Sequence, residues 1–166
     1  MKTLIAYFSH TGENYSVGVI EKGNTEIVAE YIKEFTNGNL FEIKPVKQYS
    51  KIYKECCDEA MDDYNSNARP ELQEYLDSIE EYDTIYLGYP IWWGTMPMAV
   101  WTFLEHYDFT GKTIIPFSTH EGSGLGKSAS DIKKLIPSAD VKDGFEVQGS
   151  TVKSAKEKIK QLKGEK

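Results

Sequence analysis

The chain has few cysteines, no long apolar run and no surplus of basic charge. Its 166 residues include two cysteines, Cys56 and Cys57, which are neighbours. An adjacent pair supplies neither a disulfide framework nor a metal cluster. No apolar stretch approaches the ~20 residues of a membrane-spanning helix. Lysine and arginine number 19 against 26 acidic residues, giving a net charge of −7. General nucleic-acid binding wants a basic surface, so the charge points away from it and toward a basic protein partner met through electrostatic steering. Two phosphate motifs are also missing. Without GxxxxGK[ST] a nucleoside triphosphatase is disfavoured, and without GxGxxG so is a dinucleotide fingerprint. The opening residues, MKTLIAYF, carry an apolar run too short for a secretory signal, followed by Ser9, His10 and Thr11 where a cleavage site would stand. The expected location is the cytoplasm.

What is present has the size of one domain, residues 1–166, with a full core. Aromatics are abundant, with 11 Tyr, 7 Phe and 3 Trp. Apolar runs predict strands at Thr3 to Phe8, Asn39 to Lys44, Asp83 to Tyr89, Lys112 to Ser118 and Asp143 to Gln148, the last weakened by Gly144. Helical spacing places Ile27, Val28, Tyr31, Ile32 and Phe35 on one face, with Asn37-Gly38 as a left-handed stop. Further helices are expected over Ser50 to Asn65, from Pro70 through Leu72, Leu76 and Ile79, after Thr95 with Val100, Trp101 and Leu104 inward, through Ala129 to Ile136, and from Ser150 onward. The acidic run Asp58, Glu59, Asp62 and Asp63 reads as a solvated helix face, because it lacks the glycine of a calcium loop. Between Gly12 and Lys22 lies a long excursion in which Tyr15, Val17, Val19 and Ile20 alternate like a hairpin. It is either a surface excursion or a lid beside the turn it interrupts.

Strands alternating with helices predict a doubly wound α/β fold, a five-stranded parallel sheet of order 2-1-3-4-5 with helices on both faces. Ligands of such sheets bind beyond the carboxyl ends of the strands, where strand order reverses. Three unusual loops follow strands one, three and four and therefore meet at that end. The first offers the hydroxyls of Ser9, Thr11 and Thr25, the amide of Asn24 and a helix N-terminus, a set that suits a single phosphate. The second holds Trp92 and Trp93, flat apolar planes on which a conjugated ring stacks, or else a cap on the core. The third carries His120 among glycines, either a ring-edge contact or a surface histidine.

The residues Ser9-His10-Thr11-Gly12, the GNT of Gly23 to Thr25, the YPIWWGTMP of Tyr89 to Pro97 and the THEGSGLG of Thr119 to Gly126 together resemble the flavodoxin family. More narrowly, they resemble flavodoxin-like proteins with PxWWG after the third strand. The resemblance implies noncovalent FMN and electron transfer. It places Ser9, Thr11, Asn24 and Thr25 on the phosphate, counts His10 and Gly12 among the cofactor-binding residues, and sets Pro90, Ile91, Trp92, Trp93 and Gly94 flanking the ring. Thr119, His120, Gly122, Ser123 and Gly124 fall on its pyrimidine side. The Gly12 to Lys22 insertion departs from the family's compact phosphate loop, and Tyr15 on it is a candidate to reach over the ring. Glu121 would oppose negative charge on a reduced ring, and His120 or the glycine N–H groups would favour it. Two activities follow. One is an electron carrier serving redox protein partners, and the other an NAD(P)H-dependent oxidoreductase with a small quinone-like acceptor.

Overall fold

In the computed structural model, residues 2–14 and 18–164 are described. In chain order, β1 (Lys2–Tyr7) leads to a small hairpin, β2 (Gly12–Asn14) and β3 (Gly18–Ile20). Helix α1 (Asn24–Thr36), β4 (Asn39–Glu42) and α2 (Tyr53–Asn65) follow. Then come β5 (Tyr82–Pro90), α3 (Met98–His106), β6 (Thr113–His120) and α4 (Ser128–Leu135). The chain closes with β7 (Asp140–Val141), β8 (Phe145–Gln148), a 3-10 turn at Gly149–Ser154 and α5 (Lys156–Gly164).

The main sheet is parallel in the order β4-β1-β5-β6, with β7 and β8 both paired to β6 at the far edge. Counting β7 and β8 as one interrupted strand, this is the expected 2-1-3-4-5 arrangement. Successive side chains of β1 point to opposite faces. Leu4 and Ala6 join Leu87, Phe103 and Ile132 in one core, and Ile5 and Tyr7 join Val28, Ile32, Phe117 and Ile159 in the other. Helices α2, α3 and α4 lie over the first face, α1 and α5 over the second.

Local chemistry sets the boundaries. Asn37 adopts φ +57 and returns its N–H to Lys33 O, stopping α1 as the Asn-Gly pair predicts. The fifth strand breaks at Gly144, whose φ is +76 and where a Cβ would lie 2.1 Å from Pro116 O, so only glycine lets β8 rejoin β6. The last helix begins two residues beyond the 3-10 turn rather than at Ser150.

One expected element is absent among the described residues. The segment after Pro70 is extended, not helical. Val46 and Gln73 exchange N–H···O bonds with Glu71 and Lys44 at 2.7 Å each, forming a short antiparallel ribbon. Farther on, the Tyr107 hydroxyl accepts the Leu76 N–H at 2.7 Å and donates to Leu76 O at 3.0 Å. Leu72 and Ile79 are still buried, so helical spacing identified the inward residues but not their backbone. The hairpin expected between Gly12 and Lys22 is present, with Gly12 opposite Ile20 and Asn14 opposite Gly18. Tyr15 and Val17 lie outside the described residues.

Candidate functional site

At the carboxyl end of the sheet, the loops after β1, β5 and β6 enclose a cleft of about 370 Å³, within the ~300–1,000 Å³ usual for small-molecule sites. Each loop contributes as its local sequence dictates.

The first loop is drawn against α1 by a close approach. Gly23 precedes the helix and offers no side-chain cap. Instead Ser9 Oγ accepts the N–H of Glu26 at 3.3 Å. A Cβ at Gly23 would lie 1.8 Å from Ser9 Oγ, so glycine is required for that approach. Asn24 and Thr25, the first residues of the helix, line the cleft with His10. Their position places the positive end of the α1 dipole at the cleft wall. Thr25 is buried, and its Oγ1 lies 2.8 Å from Thr119 Oγ1, which joins the first and third loops. His10 Nε2 donates to Ser50 O at 3.0 Å, because a carbonyl oxygen only accepts.

The second loop is a tight turn. Trp92 N–H donates to Thr95 O at 2.8 Å and Thr95 N–H to Trp92 O at 3.3 Å. Trp93 at φ +55 and Gly94 at φ +83 sit between them, the signature of a type I′ turn. A bulky aromatic in the left-handed region is strained. The strain accompanies a specific placement, for Trp93 is 47% exposed at the cleft mouth and its Nε1 donates to Cys57 O at 3.0 Å. Trp92 is half-buried, held edge-to-face by Phe8, His10 and Tyr49 at ring separations of 5.2, 5.7 and 5.0 Å. The two tryptophans thus differ in burial, though both line the cleft.

The third loop is ordered around His120. Gly122 N–H donates to His120 Nδ1 at 2.8 Å, which leaves the ring proton on Nε2. That nitrogen is buried, has no aligned hydrogen-bond partner and lies 3.1 Å from Glu146 Oε1. Glu121 accepts from the Ser150 N–H, and its other oxygen takes the Ser150 hydroxyl and the Gln148 amide, both at 3.1 Å. Its charge is therefore tied to the segment after β8.

Of the residues anticipated from sequence, His10, Asn24, Thr25, Pro90, Ile91, Trp92, Trp93, Thr119, His120 and Ser123 line the cleft. Ser9 braces α1 instead. Thr11 faces a neighbouring cleft and accepts from Lys51 Nζ at 3.2 Å. Gly12 is buried against Lys51. Gly94 and Gly124 act through carbonyls, which accept from Lys127 N–H and Ser118 Oγ at 2.8 Å each. Gly122 supports His120.

Sequence reasoning missed a fourth wall. Tyr53, Cys56, Cys57 and Ala60 of α2, with Gly149 after β8, join the lining, to which Glu121 of the third loop also contributes. Burial, then the neighbouring Cys57 and Glu59, push the Cys56 thiol up to about 12, so Cys56 presents an unreactive, neutral surface near neutral pH. Behind it, Tyr49 donates to buried Asp63. Burial first, and that carboxylate second, hold the Tyr49 phenol well above its usual range. The only signals for the wall were Cys56, Ala60 and the apolar positions near them, set in a helix otherwise rich in acid.

A doubly wound parallel sheet with a phosphate-type helix N-terminus, an aromatic turn and a glycine loop at its switch point defines a mononucleotide-cofactor class of α/β protein. The profile described as Flavodoxin matches residues 2–162. The chain belongs to the flavodoxin family. It is 34% identical to a provisionally assigned flavoprotein from Bacteroides uniformis ATCC 8492, over 98% of this chain and 97% of that one, with a TM-score of 0.78. A flavoprotein from Lactobacillus acidophilus NCFM, solved in complex with FMN, is 25% identical over 92% and 97% of the chains, with a TM-score of 0.65. A Fusobacterium nucleatum flavodoxin bound to flavin mononucleotide shares the fold at 15% identity, 99% coverage of each chain and a TM-score of 0.56. A search of curated protein sequences gives no match.

Proposed function

We propose that the protein binds FMN in this cleft and transfers electrons through it. The observation that carries the reading is the convergence of the α1 N-terminus, the Trp92–Thr95 turn and the His120 loop around one cleft of cofactor size. The residues fit the group. Neutral hydroxyl and amide donors stand at a helix N-terminus, indole planes lie beside them, and a buried imidazole nitrogen, 3.1 Å from Glu146 Oε1, makes no aligned hydrogen bond among the described residues.

When bound, FMN supplies the conjugated ring that accepts and releases electrons. Asn24, Thr25 and His10 would hold the phosphate. Trp92, fixed by three edge-to-face contacts, and Trp93, fixed by Cys57 O, would flank the ring. Thr119, His120 and Ser123 would meet its polar edge. His120 Nε2–H, now 3.1 Å from Glu146 Oε1, would be a donor toward that edge, and its tautomer is set by Gly122 rather than left to solvent. The α2 wall keeps water off one side of the cleft.

The carrier reading adds a protein partner. Ile52, Tyr53 and Trp93 are exposed beside an α2 bearing Glu55, Asp58, Glu59 and Asp62, a surface suited to a basic redox protein. The second reading, an NAD(P)H-dependent reductase with a quinone-like acceptor, draws on the exposed face of Trp93 at the cleft mouth. An anaerobic titration of the FMN-reconstituted protein with NADPH and then NADH separates them. A flavin band that resists both nucleotides but falls with a partner reductase or dithionite supports the carrier. Rapid bleaching by either nucleotide supports the reductase.

A further inference from the structure

A second cleft, of about 170 Å³, opens on the other side of His10. Three lysines line it, Lys44, Lys47 and Lys51, against a single carboxylate, Glu42. In a chain of net charge −7, this is a local reversal of sign. Lys44 and Lys51 are held loosely, and Lys47 more firmly, over the Tyr49 ring at 5.4 Å and beside a buried carboxylate. Lys44 Nζ stands 3.6 Å from Glu42 Oε1, a pair with an exposed lysine and a half-buried carboxylate. Lys47 Nζ stands 3.4 Å from Asp63 Oδ1, but the other oxygen of that carboxylate already accepts the Tyr49 hydroxyl. Lys51 donates to a hydroxyl, Thr11 Oγ1. The solvent-exposed contacts of Lys44 and Lys51 contribute little, so an entering anion competes with them at small cost. Ammonium point charges arranged around hydroxyl groups suit the oxygens of a phosphate.

The two clefts are neighbours. His10 lines both, and Phe8 and Tyr49 of the second pack edge-on against Trp92 of the first. A ligand that spans them needs a flat ring at one end and phosphates at the other. We propose that the lysine cleft is an anion site for the phosphates of a nicotinamide dinucleotide whose nicotinamide enters the FMN cleft. No GxGxxG turn is needed, because side-chain cations replace the backbone donors of that motif. The proposal rests on the cofactor reading above and on its reductase form, and names the site that holds the electron donor.

The test uses the FMN-reconstituted protein and oxidised NADP+, which donates no hydride, so that binding alone is read by calorimetry. Inorganic pyrophosphate serves as competitor. In the variant Lys47→Ala/Lys51→Ala, the loss of two charge-assisted contacts is expected to weaken NADP+ about tenfold or more. Pyrophosphate should displace NADP+ from the unsubstituted protein, and Lys51→Arg should retain most of the affinity. All three lysines are exposed, so the variants should fold, and the FMN absorbance of each is recorded first. Loss of the FMN band in the unsubstituted protein would fail the cofactor reading. With FMN bound, three results would overturn the anion site: no NADP+ binding, NADP+ binding indifferent to the lysine changes, or pyrophosphate binding without NADP+ binding.

Discussion

Thr25→Val is the sharpest probe of how the cofactor is held. The substitution keeps the shape of the side chain and deletes one hydroxyl at the first turn of α1. That hydroxyl lies 2.8 Å from Thr119 Oγ1 in a buried setting. In the cofactor-free protein the change removes a hydrogen bond and strands the Thr119 hydroxyl, which together cost about 1–3 kcal/mol. Urea denaturation should show this as a lower midpoint with an unchanged slope. In the FMN-loaded protein proposed above the same hydroxyl would meet the phosphate, and a hydrogen bond to a charged group is worth about 1.5–3 kcal/mol. FMN affinity should therefore fall roughly 10- to 150-fold. Riboflavin, which lacks the phosphate, controls for general damage to the cleft. Fluorescence-quenching titrations with both ligands give the double difference. Equal losses for FMN and riboflavin would refute the phosphate role of Thr25, and so would an unchanged FMN affinity.

Three further expectations follow from local geometry. Trp93→Gly relieves a left-handed backbone worth about 1–3 kcal/mol but removes the Cys57 contact, so thermal stability should hold while quenching of bound flavin fluorescence falls; unaltered quenching would take Trp93 away from the ring. Glu42 has its pKa raised, chiefly by burial, so its ionised form is disfavoured in the folded state. Its destabilising effect is full above the folded-state pKa and vanishes below the ordinary glutamate value; Glu42→Gln should accordingly raise the melting temperature at neutral pH and not in acid, and a pH-independent difference would contradict this. With its thiol pushed up to about 12, Cys56 should resist iodoacetamide at pH 8 in the native protein and react once urea exposes it, as mass spectrometry of the alkylated protein would show.

Much of this arrangement was legible in the sequence because buried parallel strands are apolar nearly throughout. Leu4 to Tyr7, Ile85 to Tyr89 and Ile114 to Phe117 announce themselves in this way, and the loops after them then have to meet. Asn37-Gly38 marked its helix end through backbone chemistry alone. The segment after Pro70 was misread because Leu72, Leu76 and Ile79 keep helical spacing. What decides its backbone is distant in sequence, the ribbon with Lys44 to Val46 and the hydroxyl of Tyr107, and tertiary contacts override spacing in so short a stretch. The α2 wall was hidden for a similar reason. Cys56 and Ala60 look like minor apolar residues on an acidic helix until the sheet places that helix beside Trp93. His120 shows the limit from the other side. Its presence in the loop was readable, whereas its burial, its tautomer and its approach to Glu146 depend on Gly122 and on a strand 26 positions away.

The most direct test of the account is to titrate the cofactor-free protein with FMN and, separately, riboflavin while following flavin fluorescence. Saturable one-to-one binding of FMN, far tighter than riboflavin, is the predicted result. Flavin fluorescence that ignores the protein, or riboflavin bound as tightly as FMN, would contradict a cofactor held by its phosphate at the start of α1.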